Sequence, residues 1–282
     1  MRVTIADLFQ AKRERRRFAA LTAYDAVSAG ILDSAGIPLL LVGDSLGMVV
    51  LGHETTLPVT LEDILHHTRA VVRGSRRAMV VADLPFMTYQ ISIEQAMSSA
   101  ARCLQEAGAQ AVKLEGGRSI SPTVRRLTEA GIPVMGHIGL TPQSVHQLSG
   151  FRVQGKTAAR AKEILADAQA LESAGAFSVV LECIPTELAG LITERLSIPT
   201  LGIGAGPLCD AEIQVTSDIL GWTPAFVPRH ARAYAQLAKD AATAVERFQS
   251  DVASRAFPGP EQSTALAPEV AAALRDGLAD PT

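Results

Sequence analysis

Four acidic residues each close a short apolar run. Asp44 follows Leu39–Val42 (LLLV) and Gly43, Asp83 ends VVAD, Glu115 ends AVKLE, and Glu182 ends SVVLE. A carboxylate at the carboxyl end of a buried strand is costly to desolvate unless a cation pairs with it, so these side chains are expected to face a site and not a core. Taken singly, an acid in that place caps the next helix or pairs with an arginine. As a set at successive strand ends they point to one shared rim. A hard divalent cation such as Mg²⁺ takes one or two carboxylates, several waters and the substrate's own oxygens, which Asp44, Asp83 and Glu115 more than supply. Lys113 precedes Glu115 by two residues, so strand alternation sends both to the same side and Leu114 to the other. A lysine among acids is a candidate for holding an anionic substrate.

His137 ends the run VMGH, with Gly136 and Gly139 beside it expected to leave space for a ligand; it reads either as a supporting hydrogen-bond partner or as a direct contact. Adjacent His66 and His67 point in different directions on a helix and make poor joint ligands. Gly202–Gly206 (GIGAG) lacks the G-x-G-x-x-G frame of a nucleotide turn, and without G-x-S-x-G around it Ser45 is not expected to be a hydrolase nucleophile.

The elements that must position these residues alternate along the chain. Ala-Gly pairs at 35–36, 107–108, 130–131 and 174–175 each stand between a helical pattern and an apolar run, where glycine ends the helix in a left-handed conformation. Strands are predicted at Phe18–Tyr24, Leu39, Ala78–Ala82, Val112, Pro133–His137, Ser178–Leu181, Thr200–Ile203 and Ala225–Val227, with helices opening at Pro122, Pro142 and Pro185. Thr4 with Asp7 and Ser92 with Gln95 read as capping boxes, and Thr60 through Asp63 as a helix start running to Gly74. Such units form an open doubly wound sheet or a closed barrel. Eight strands, acids at their ends and a length near the roughly 250 residues typical of barrels favour an α/β (β/α)₈ TIM barrel. It is expected to fill residues 1–262, with a short N-terminal helix, a last helix over Tyr234–Phe248, and a flexible, mobile tail over 263–282 that is weakly helical at Val270–Leu278.

The whole chain excludes several other classes. Of its 282 residues 48% are hydrophobic, enough for a large core, and the net charge of −3 carries no footprint of a nucleic-acid binder. Three cysteines without C-x-x-C spacing argue against a disulfide framework or structural zinc and suit a reducing, cytoplasmic setting. The basic cluster Arg13–Arg17 reads as a solvated helix end, and no apolar run has membrane length.

TAYD (22–25), LVGDSLGM (41–48), LPVT (57–60), ADLPFM (82–87), VKLEGG (112–117), GHIGLTPQS (136–144) and GIGAG (202–206) occur in unbroken order, and together the chain resembles the ketopantoate hydroxymethyltransferase family over residues 3–263. The resemblance implies a (β/α)₈ barrel that transfers a hydroxymethyl group from 5,10-methylenetetrahydrofolate to 3-methyl-2-oxobutanoate through a Mg²⁺-stabilised enolate, giving 2-dehydropantoate in pantothenate and coenzyme A biosynthesis. By matching motifs it implies Asp44, Asp83 and Glu115 at Mg²⁺, Asp44, Ser45, Asp83 and Lys113 at the oxo acid, His137 as a supporting group, Glu182 as the general base, and a homodecamer. The sequence departs from the family pattern at Pro207, at Ser217-Asp218 and at Gln262, positions that bear on folate and assembly contacts. Two alternatives remain beside it. A phosphoenolpyruvate mutase or isocitrate lyase-like barrel is disfavoured because residues 82–86 read ADLPF and not DxDxG. A catalytically dead ring-forming scaffold is disfavoured by the intact Lys113, Glu115 and Glu182.

Overall fold

The computed structural model describes residues 1–223 and 228–278. Eight parallel strands close in sequence order into a barrel. They are β1 (Phe18–Thr22), β2 (Leu39–Val42), β3 (Met79–Asp83), β4 (Ala111–Glu115), β5 (Val134–Gly139), β6 (Ser178–Glu182), β7 (Thr200–Ile203) and β8 (Ala211–Gln214). Around them run α1 (Ile5–Arg13), α2 (Ala26–Ser34), α3 (Leu46–Val49), α4 (Leu61–Gly74), α5 (Ile93–Gln105), α6 (Ser121–Glu129), α7 (Ala158–Ser173), α8 (Thr186–Arg195) and α9 (Thr216–Leu220).

Alternation along each strand builds two cores. Leu39 and Leu41, Met79 and Val81, Ala111, Met135, Val180, Leu201, Ala211 and Ile213 fill the barrel interior, whose cluster includes Leu8 of α1. Leu40, Val80, Val112, Leu114, Val134, Val179 and Leu181 face the helices, so each central strand is apolar on both sides. The helix boundaries follow their caps. Thr4 and Asp7 form the expected capping box on α1, and Thr60 and Asp63 form another on α4. On α5 only half of the expected box is present: Ser92 caps Gln95 N–H, while the Gln95 amide turns away to Met87 O. Gly36, Gly108, Gly131 and Gly175 all have positive φ at the helix-to-strand junctions.

Three expectations change. Pro142 opens a single 3₁₀ turn (Pro142–Ser144), and the helix of that crossover begins at Ala158, where Thr157 caps it. The predicted strand Ala225–Val227 lies outside the described residues; the barrel is closed by β8, where Ala211 and Ile213 face in while Glu212 and Gln214 are half-buried on the other face. The barrel unit ends at Tyr234 and not at residue 262, and a second compact unit begins at Ala235. That second unit contains α10 (Leu237–Ala253), at the last helix expected over Tyr234–Phe248, and α11 (Pro268–Leu278), at the helical patch expected over Val270–Leu278. Among the described residues, no helix is long and apolar enough to cross a membrane.

Candidate active site

Strand register explains why the predicted residues meet. Asp83 is the register partner of Lys113, and Glu115 is the partner of His137. Gly139 on β5 pairs with Glu182 on β6. At the carboxyl end of the barrel, the Lys113 ammonium donates to both Asp83 oxygens at 2.8 and 2.7 Å and stands 3.9 Å from Glu115 Oε1. Asp44, just past β2, donates its backbone N–H to Asp83 Oδ2 at 3.3 Å. His137 lies between two acids, with Nδ1 3.4 Å from Glu115 Oε1 and Nε2 3.2 Å from Glu182 Oε2. Those are ion-pair distances, but the ring N–H directions miss hydrogen-bond alignment. Leu114 faces the helices, as alternation required.

Burial sets the electrostatics. It pushes the Asp44 carboxyl well above the usual range, and the charges of Asp83 and Glu115 push it further. Burial also raises Asp83, against the pull of Lys113. Burial opposes the Lys113 charge as well, but Asp83, Glu115 and Asp44 more than offset it and keep the ammonium protonated. Glu115 is held below the usual range because the attraction of His137 and Lys113, with the backbone N–H of Gln143, overcomes its own burial. For His137, burial and the Lys113 charge push down, yet Glu115 and Glu182 raise the imidazole to about 9, so it is a cation at neutral pH. Glu182 differs from the other acids: its side chain is 15% exposed against 2% for Glu115.

Uncharged residues that sequence reasoning missed hold the acids in place. The Gln143 side chain is buried; its Nε2 donates to Asp44 Oδ2 at 3.0 Å and to Leu84 O at 2.9 Å, and its backbone N–H donates to Glu115 Oε2 at 3.0 Å. The Tyr89 hydroxyl accepts from Glu115 N–H at 3.1 Å and lies 2.9 Å from Gln143 Oε1. The Tyr24 and Ser45 hydroxyls are 2.8 Å apart, and burial raises the Tyr24 phenol to about 12. Only their presence in the quoted motifs TAYD and GLTPQS marks Tyr24 and Gln143 in the sequence, and Tyr89 has no such signal.

Two glycines work differently from expectation. A Cβ on Gly136 would meet Leu171 Cδ1 at 2.6 Å, and one on Gly139, which has φ +97°, would meet Glu182 O at 2.2 Å. They make room for α7 and for β6, not for a ligand. His67 is structural, with Nδ1 2.5 Å from Tyr24 O.

The donor set suits a Mg²⁺ ion bound through few protein atoms. Among the described residues, no group of three or more His, Cys, Asp or Glu side chains converges as a complete metal cage. Mg²⁺ does not need one, since it keeps several waters and uses one or two carboxylates. Glu115 Oε1 is buried without a hydrogen-bond partner, and the carboxylates of Asp44, Asp83, Glu115 and Glu182 gather around Lys113 and His137. All six line one cavity of about 730 Å³, together with Ser45. That volume lies in the range of small-molecule sites.

The profile of the ketopantoate hydroxymethyltransferase family matches residues 2–260. A protein of Chloroflexus aurantiacus named 3-methyl-2-oxobutanoate hydroxymethyltransferase is 60% identical over 275 residues, covering 97% of each chain. A Dehalococcoides mccartyi protein of the same name is 56% identical over 275 residues, covering 98% of this chain and 99% of that one. Among solved structures, a phosphonopyruvate hydrolase aligns over 99% of this chain and 96% of its own with a TM-score of 0.59 at 14% identity. A 2,3-dimethylmalate lyase of the phosphoenolpyruvate mutase/isocitrate lyase superfamily aligns over 99% and 97% with a TM-score of 0.58 at 17% identity. At such identity these two share the fold alone.

Proposed function

Because the chain belongs to the ketopantoate hydroxymethyltransferase family and is a transferase that forms ketopantoate in the pantothenate pathway, we propose that it moves the one-carbon unit of 5,10-methylenetetrahydrofolate to C3 of 3-methyl-2-oxobutanoate, with Glu182 as the base. The observation that carries this reading is the position of Glu182, partly open to the cavity and separated from the buried Glu115 by the His137 ring. A base must reach the substrate without being captured by the groups that hold it.

The oxo acid is placed at the Asp44, Ser45, Asp83 and Lys113 end. There Lys113 offsets the negative charge of the substrate and of the surrounding acids, and the Tyr24 hydroxyl fixes that of Ser45. Asp44, Asp83 and Glu115 would hold Mg²⁺, directly or through water, with Lys113 beside Asp83. Bound there, the ion would act as a Lewis acid on the substrate oxygens and favour loss of the C3 proton. Glu182 takes that proton, and the His137 cation orients its carboxylate from one side. Water adds to the donor's methylene carbon as one of its C–N bonds opens, the second C–N bond breaks to release tetrahydrofolate and leave a formaldehyde-level carbonyl, and C3 attacks that carbon while its oxygen takes the proton back from Glu182 to become the new hydroxyl.

The direct test is a turnover assay with 3-methyl-2-oxobutanoate, methylenetetrahydrofolate and Mg²⁺, with product mass as the readout. A product heavier than the oxo acid by one hydroxymethyl addition is expected, and chelation of the ion should abolish it. Unaltered oxo acid under all conditions would overturn the proposal.

A further inference from the structure

On its β8 side, next to β1, the same cavity contains an acid that the reaction steps above do not use. From β8 the chain passes through Val215 into the short helix α9, which is pinned to β1: Thr216 donates its N–H to Thr22 Oγ1 at 3.1 Å and its hydroxyl to Thr22 O at 2.5 Å. Asp218, on α9, is only 7% exposed and lines the cavity. Among the described residues, no donor lies within hydrogen-bond or ion-pair distance of its carboxylate. Burial raises its pKa, with only the charge of His230 opposing. The carboxylate opens to the cavity and not to protein donors, so its oxygens are available to donors on a ligand. Ile203, Ile213 and Val215, which also line the cavity, are apolar walls for a flat ring.

We propose that Asp218 binds the pyrimidinone edge of the reduced folate, its two oxygens accepting from the ring N3–H and the neighbouring 2-amino group. Two parallel donors at that spacing fit one carboxylate in a bidentate pair. The oxo acid occupies the Asp44 and Lys113 end, so the β7–β8 side is left for the larger co-substrate. This assignment rests on reading methylenetetrahydrofolate as the one-carbon donor.

The test measures binding of tetrahydrofolate and of its 2-desamino analogue to wild type, Asp218→Asn and Asp218→Ala, by calorimetry in the presence of Mg²⁺ and oxo acid. Both variants should bind tetrahydrofolate roughly ten- to a hundredfold more weakly, while their oxo-acid affinity and thermal midpoint stay at wild-type values. In wild type, removing the 2-amino group should cost at least about tenfold, and that cost should disappear in the variants. Folate affinity within twofold of wild type, or the same analogue penalty in both proteins, would overturn the assignment and leave the proposed reaction standing. Wild type that fails to bind tetrahydrofolate at all would overturn both. If a variant does not fold, the wild-type comparison still decides, because equal affinity for the two folates removes the 2-amino contact.

Discussion

The two sides of the barrel mouth are built to different rules. On the side of β2 to β4, Asp44, Asp83, Lys113 and Glu115 are buried and tied to one another, to Gln143 and to the Tyr89 hydroxyl. On the side of β6 to β8, Glu182 is partly open and Asp218 has no partner among the described residues. Acids that look alike in sequence therefore divide into an interlocked set, which would hold the metal and the oxo acid, and a set with fewer protein partners, which is left for proton transfer and the second substrate. A buried, paired carboxylate changes protonation only at the expense of its partners, whereas one at the cavity surface can exchange a proton with what binds there.

The largest expected effect breaks the locked side. Lys113→Met keeps most of the side-chain volume but leaves buried carboxylates without their ammonium, which should cost about 3–5 kcal/mol of stability. Urea unfolding measures it, and a loss below about 1 kcal/mol, the scale of a surface ion pair, would mean that this ion pair does not lock the site. Next comes Gln143→Ala, which removes the amide between Asp44 and Tyr89 and should cost roughly 2 kcal/mol together with oxo-acid affinity. Unfolding and titration on the same sample check both; weakened binding at full stability would show that Gln143 contacts substrate and does not act through Asp44.

The smallest effect sharpens the contrast from outside the site. Asp33, near the end of α2, accepts from the backbone N–H groups of Arg76, Arg77 and Ala78. Burial raises its pKa, but those three amides more than offset this and hold it below the usual value. With the folded pKa depressed, its contribution is complete above the unfolded value of about 3.9 and is lost as pH falls through the folded one. Asp33→Asn should remove about 1 kcal/mol at neutral pH, the solvent beside it weakening the bonds. The difference from wild type should vanish in acid, and turnover should be unchanged. A constant difference down to low pH would place the effect elsewhere.

The legible parts of this molecule are those where two constraints coincide. Strands β2, β3, β4 and β6 have apolar residues on both faces, which marks them as continuous runs, and an acid closes each of those runs. Strand β8 has one half-buried polar face, so its AEIQ pattern falls below that criterion, and no helix precedes it to announce a new unit. In the site, the inward pairing of Lys113 with Glu115 follows from strand alternation alone. Gln143 and Tyr89 were not legible because they lie in connections, where periodicity has no hold, and because an uncharged side chain becomes significant only through what it touches. Asp218 is charged but closes no apolar run, so the sequence marks it only as part of a departure from the family pattern.

The central claim is that Glu182 takes the C3 proton, and exchange of that proton into deuterated water tests it most directly. Wild type with Mg²⁺ and 3-methyl-2-oxobutanoate, with a folate analogue added if exchange requires it, should incorporate deuterium at C3. Glu182→Gln keeps the side chain's shape while removing the basic oxygen, so it should still bind the oxo acid but exchange about 10²–10⁴-fold more slowly. Exchange at a similar rate in wild type and Glu182→Gln would contradict the account and turn attention to His137, whose imidazole loses in that variant one of the two acids that keep it protonated.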